Sequence, residues 1–128
     1  MHRPLVFIID DDDAIREAFS EVLSDAGYEI RSYRNGREAA EALQRSDRPN
    51  LILLDWMMPV MSGSEFVRQE RARIEEIPVV VISAVAETLG PIPGVRERVG
   101  KPLGIVELLE TVDRHVEPPS QENERREA

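Results

Sequence analysis

Three stretches of this chain are apolar without interruption and rich in branched side chains: Leu5 to Ile9, Leu51 to Leu54 and Val79 to Ile82. Runs of this length with no polar alternation predict strands covered on both faces, as in the middle of a parallel sheet. Two weaker stretches predict edge strands. Tyr28 to Arg34 alternates polar and apolar residues, and Val95 to Gly100 has little that is apolar besides Val95 and Val99.

Helical spacing fills the intervals. Ile15, Phe19, Val22, Leu23 and Ala26 form one stripe that stops at Gly27, and Ala39, Ala40 and Leu43 mark a shorter helix over Gly36 to Leu43. A third helix opens at Ser62, because Ser62-Gly63-Ser64-Glu65 reads as a capping box with Ser62 as N-cap and Glu65 at N3. The last runs from Ile105 through Leu108, Leu109, Val112 and Val116. The fourth crossover is the exception: Ala84 to Leu89 runs into Gly90-Pro91-Ile92-Pro93-Gly94, which leaves at most one or two helical turns.

Strand and helix thus alternate five times, and right-handed crossovers lead to an α/β doubly wound five-stranded parallel sheet. In the order 2-1-3-4-5 the two weak strands are the edges and the three apolar ones are internal. A single domain over residues 1–116 is expected, followed by a disordered acidic tail over 117–128, where EPPSQENERREA offers nothing apolar to bury.

Composition narrows the functions. The 128 residues carry 16 basic and 25 acidic side chains, a net charge of -9 that disfavours nucleic acid as a partner. Cysteine is absent, which excludes disulfides and thiolate chemistry. Neither a signal peptide nor a membrane-spanning segment is expected, since apolar runs stop at about five residues. A cytoplasmic, membrane-free protein is the expectation.

The switch point of such a sheet lies between strands 1 and 3, and acidic residues end both: Asp10 to Asp13 follow Ile9, and Asp55 follows Leu54. Converging carboxylates repel, and a hard cation is an economical way to keep them ionised. Mg²⁺, with Mn²⁺ as a substitute, suits an all-oxygen site that keeps waters and accepts phosphoryl oxygens. A carboxylate can then act as nucleophile toward phosphorus, with Lys101 as fixed positive charge and Ser83 as a hydroxyl donor.

Ile8-Ile9-Asp10-Asp11, Leu53-Leu54-Asp55-Trp56-Met57-Met58-Pro59 with Gly63, Val81-Ile82-Ser83-Ala84 and Lys101-Pro102 stand in order, each at a strand end. Together they resemble the receiver domain of two-component response regulators, over about residues 4 to 116. The resemblance implies the flavodoxin-like receiver fold and a phosphorelay role as a stand-alone receiver rather than an enzyme. A histidine kinase or phosphotransfer protein would phosphorylate Asp55, and the aspartyl-phosphate would signal to a downstream protein target, as a monomer or a phosphorylation-dependent dimer. It further implies Mg²⁺ held by Asp11, Asp55 and the Met57 main-chain carbonyl, with Asp10 acting mainly through a metal-bound water. Lys101 and Ser83 would contact the phosphoryl group, and the Lys101-Pro102 peptide would be cis.

Blander readings stand beside these. Asp12 and Asp13 fit the cap and first turn of a helix better than a metal shell. Met58 and Met61 read as packing, and Trp56 as a structural residue well placed to report on the site by fluorescence. Neither His2 nor His115 has a partner at ligand spacing, and His115 suits the carboxyl end of the last helix. An aspartate-nucleophile phosphohydrolase is disfavoured, because Asp10-Asp11-Asp12-Asp13-Ala14 has Ala14 where its signature needs Thr or Val.

Two departures from the receiver pattern remain: Arg98 stands three residues before Lys101, where an aromatic is common, and the fourth helix is cut short. They support an alternative, a phosphorylation-independent receiver-like interaction module. Met57 and Val85, two residues beyond Asp55 and Ser83, are apolar and cannot orient water, so a phosphoryl group on Asp55 is expected to be long-lived.

Overall fold

A computed structural model of the chain describes residues 3–45, 47–117 and 119. The central strands are β1 (Leu5–Ile9), β3 (Leu51–Asp55) and β4 (Val79–Ser83), flanked by β2 (Glu29–Tyr33) and β5 (Glu97–Gly100). All pairings are parallel and the order is β2-β1-β3-β4-β5. Both weak strands are edges, and the strands that read as continuously apolar are internal. Strand β5 starts two residues later than its sequence suggests, because Val95 turns back to the Ile92 carbonyl instead of joining the ladder.

Alternation along each central strand divides its residues between two cores. Phe7, Ile9, Ile52, Leu54, Val79 and Val81 face α2 (Gly36–Gln44) and α3 (Gly63–Gln69). Val6, Ile8, Leu51, Leu53, Val80 and Ile82 face α1 (Asp13–Asp25) and α4 (Ile105–His115), meeting Leu23, Leu108 and Val112. Each such side chain contributes about 1.5–3 kcal/mol of burial, so the sheet is the rigid frame on which the strand ends are held.

The helix boundaries follow their caps. Asp12 accepts from the Ala14 and Ile15 N–H groups, Asn35 from Glu38 N–H, and Ser62 and Glu65 form the reciprocal capping box. Helix α1 stops ahead of Gly27, whose φ of 99° suits glycine. In α4, Ile105 and Val106 stay exposed at the first turn while Leu108 and Val112 are buried, so the apolar stripe begins one turn later than Ile105.

The fourth crossover holds a single 3₁₀ turn, Ala86–Thr88, and no α-helix. Leu89 and Val95 pack on the β4 face in place of a helical stripe. Arg98 pairs in register with Val81 on that same side and is exposed. His115 ends α4 as expected, yet its Nε2 lies 2.7 Å from Glu97 Oε1, so a carboxylate on β5 is its partner. His2 and the tail expected beyond Glu117, apart from Glu117 and Pro119, lie outside the described residues.

The turn from β3 into α3 is closely packed at Gly63. A Cβ on Gly63 would fall 2.8 Å from the Asp55 carbonyl oxygen and 2.8 Å from Trp56 Cε3, so only glycine lets α3 start this close to β3. Val60 has φ of 70°, a conformation that a β-branched residue adopts only under strain, and its side chain is exposed. Val60→Gly is therefore expected to stabilise the fold by roughly 0.5–1 kcal/mol, and Gly63→Ala to destabilise it by about 1–3 kcal/mol, as read from urea unfolding midpoints at constant m.

Candidate functional site

The carboxyl ends of β1, β3, β4 and β5 bring Asp10, Asp55, Ser83 and Lys101 to one edge of the sheet. Asp10 and Asp55 are only 5% and 6% exposed, whereas Asp11 is open to solvent. One carboxylate oxygen from each of these three residues lies within 4.8 Å of the others. Asp12 and Asp13 are absorbed by the start of α1, as their positions suggest.

Lys101 bridges the buried pair. Its Nζ donates to Asp10 Oδ2 at 3.1 Å and lies 3.4 Å from Asp55 Oδ1. The Lys101-Pro102 peptide is cis, and the Lys101 N–H donates to the Ser83 carbonyl. Asp10 is fixed further: its Oδ1 accepts from Asp12 N–H at 2.9 Å, and its carbonyl accepts from Arg16 Nη1 at 2.7 Å. Arg16 also pairs with Asp13, three positions earlier on α1. The sequence reading missed Arg16; its only signal was that i, i+3 spacing.

Ser83 Oγ accepts from Val85 N–H at 3.2 Å, so at rest this hydroxyl ties down the short turn that replaces a helix. Met57 contributes its backbone: its N–H bonds the Asp55 carboxylate, while its side chain is 67% exposed. Beside the site, Trp56, Met57, Met58, Ser62, Ser64, Val85 and Leu89 line a largely apolar groove of about 620 Å³.

Burial pushes the Asp55 carboxyl from its ordinary 3.8 up to about 6; the Asp10 charge and a hydrogen bond with Asp11 act in the same direction, against Lys101 and the Met57 N–H. Burial opposes the charge on Lys101, but the attraction of Asp10 and Asp55 outweighs it and raises the Lys101 pKa. Charge in the pocket is unbalanced: two buried carboxylates and an exposed third face one ammonium. Octahedral Mg²⁺ places oxygens about 3–4 Å apart, the same scale as the three-carboxylate cluster. The donor set, all oxygen with no His or Cys, suits that ion.

A doubly wound sheet presenting an acidic cluster, a lysine and a hydroxyl at its switch point has the architecture of a signalling receiver. The chain belongs to the response regulator receiver domain family, which residues 6–113 match. Among curated relatives, the response regulator MprA of Mycolicibacterium vanbaalenii is 36% identical over 108 residues, covering 81% of this chain and 46% of the relative. MprA of Mycobacterium leprae is 36% identical and is covered to 47%. The chain thus spans about half the length of the curated relatives it matches.

Solved structures agree. The chemotaxis response regulator CheY4 of Vibrio cholerae superposes with a TM-score of 0.78 at 30% identity, over 90% of this chain and 100% of that one. The response regulator TrrA of Thermotoga maritima, solved in complex with Mg²⁺ and BeF, has a TM-score of 0.78 at 29% identity, over 88% and 99%. No helix among the described residues is long and apolar enough to cross a membrane.

The raised Asp55 pKa sets a pH dependence. The folded chain holds a proton at Asp55 up to about pH 6, whereas the unfolded chain releases it near its ordinary 3.8. Stability from this group therefore falls as pH rises through that window. Without divalent metal, Asp55→Asn is expected to melt about 3–5 °C above the wild type near neutral pH, equivalent to roughly 1 kcal/mol, and the gap should close by about pH 4. Mg²⁺ should stabilise only the wild type. Calorimetry at both pH values, with and without Mg²⁺, checks this.

Proposed function

We propose that Asp55 accepts a phosphoryl group from the phosphohistidine of a histidine kinase or phosphotransfer protein, in a Mg²⁺-dependent reaction, and that the chain signals by protein contact. The observation that carries this reading is the buried Asp55 carboxylate with Lys101 at 3.4 Å and two further aspartates beside it. TrrA, a relative in fold and sequence, is solved with Mg²⁺ and BeF.

In this reading an Asp55 carboxylate oxygen attacks phosphorus in line, the phosphorus–nitrogen bond breaks, and the imidazole leaves with a proton. Asp11, Asp55 and the Met57 carbonyl would hold Mg²⁺, with Asp10 acting through a coordinated water. When bound, the ion neutralises charge on the phosphoryl oxygens and keeps Asp55 ionised at neutral pH. Lys101 moves from its resting pair with Asp10 and Asp55 to a phosphoryl oxygen. Ser83 gives up its bond with Val85 N–H and donates to another, which couples the site to the turn at Ala86–Thr88.

The donor has an adjacent landing surface. Ile15, Phe19, Pro102 and Leu103 line an apolar depression next to Lys101, close to the exposed Ile105 and Val106. Receivers are signalling domains, and we read this one as a non-enzymatic phosphoacceptor working in the cytoplasm, as residues 1–116. The competing reading, a phosphate-independent interaction module, draws on Arg98 and the missing helix.

Incubation with Mg²⁺ and phosphoramidate separates the two. Intact mass spectrometry should show the gain of one phosphoryl group in the wild type and none in Asp55→Asn. No gain in either chain favours the interaction module.

The apolar Met57 and Val85, two residues beyond Asp55 and Ser83, line one groove and carry no group that can hold an attacking water, which supports a long-lived phosphoryl group. Met57→Asn is expected to shorten its lifetime about tenfold or more, roughly the 1.4 kcal/mol that one water-positioning hydrogen bond supplies. The phosphorylated fraction followed over time after donor removal checks it.

A further inference from the structure

We propose that Met57 is an oxidation site whose conversion to the sulfoxide shortens the life of the phosphoryl group on Asp55; the second half rests on the function proposed above. The chain has no cysteine and four methionines, so any response of its sulfur to oxidant runs through thioether. The three described methionines differ sharply in access. Met57 is 67% exposed, Met58 9%, and Met61 is intermediate and packed against Gly36.

Position makes Met57 more than an exposed thioether. Its backbone N–H is bonded to the Asp55 carboxylate, which fixes the Met57 backbone beside the proposed acceptor. The groove there also contains Trp56, Met58, Val85 and Leu89, with Ser62 and Ser64 as its only polar lining, both at the start of α3. Ser62 is already used as the α3 cap, and Ser83 is bonded to Val85 N–H. The Met57 thioether in that groove is itself only a weak hydrogen-bond acceptor.

Oxidation changes that one property. A peroxide transfers one oxygen to the Met57 sulfur, which loses two electrons, while the peroxide O–O bond breaks and water leaves. The sulfoxide oxygen is a strong hydrogen-bond acceptor where the thioether was a weak one. It accepts from a water beside Asp55 and orients that water toward phosphorus. Hydrolysis then breaks the bond between phosphorus and the Asp55 oxygen, releasing inorganic phosphate and the free carboxylate. The chain thereby joins two inputs at one loop: a phosphoryl donor sets the signal, and oxidant shortens it.

The test uses the full chain and hydrogen peroxide. Peptide mass spectrometry should find the one-oxygen gain at Met57 several-fold faster than at Met58 or Met61. Chain oxidised at Met57, then phosphorylated with phosphoramidate and Mg²⁺, should lose its phosphoryl group several-fold faster than unoxidised chain. Methionine sulfoxide reductase should restore the original lifetime. In Met57→Leu, compared only with itself, peroxide should leave the lifetime unchanged.

Equal oxidation of Met57 and Met58 overturns the site. An unaltered lifetime with Met57 fully oxidised, or an equal shortening in Met57→Leu, overturns the coupling. A chain that gains no phosphoryl mass in either state overturns the underlying function and the coupling together, while the oxidation mapping still decides the reactivity of Met57.

Discussion

Two buried carboxylates, Asp10 and Asp55, held beside one lysine are the constraint around which the rest of the domain is arranged. Like charges out of water repel strongly, and Lys101 at 3.1 and 3.4 Å offsets only part of that repulsion. Burial first, and the Asp10 charge after it, push the Asp55 carboxyl above its ordinary range. A site short of positive charge favours any partner that brings more, such as a divalent cation. The three-aspartate cluster is thus a local concentration of negative charge that suits a divalent cation.

The surrounding geometry holds that cluster in place. The Asp10 main chain is tied to Tyr33 and Arg16, and its side chain to Asp12 N–H. Gly63 allows α3 to begin directly over the Asp55 carbonyl, and the strained Val60 lets the loop turn there. Lys101 arrives from β5 through a cis peptide and is bonded to the Ser83 carbonyl. The backbones that carry Asp55, Lys101 and Ser83 are therefore fixed by the sheet, while the segment after Ser83 is held mainly by short-range turns. That division places the adaptable part of the molecule between β4 and β5. Exposed Arg98 replaces an aromatic there, and a single 3₁₀ turn replaces a helix.

Much of this was legible in the chain. Apolarity ranked the strands correctly because internal strands of a parallel sheet lose water on both faces, whereas β2 and β5 keep one edge in solvent. The caps at Asp12 and Ser62 were readable because capping depends on residues three positions apart. The same locality explains why Asp12 and Asp13 could be assigned to α1 rather than to a metal shell. Ile105 misled, because helical periodicity reports a stripe but not where a neighbouring helix begins to cover it.

Sequence alone determined the fold class and the strand order, since apolar runs and helical spacing are local patterns, and it marked Asp10, Asp55, Ser83 and Lys101 as one candidate set by their order at successive strand ends. Tertiary structure alone decided what distance decides. Asp10, rather than Asp11, is the resting partner of Lys101; Arg16 braces the Asp10 carbonyl; His115 meets Glu97 across 18 residues of chain. It also decided that Met57 stands in solvent while Met58, its neighbour, is buried. Contacts between residues remote in sequence depend on how the crossovers pack, and exposure depends on what lies opposite, so neither is written in a local pattern.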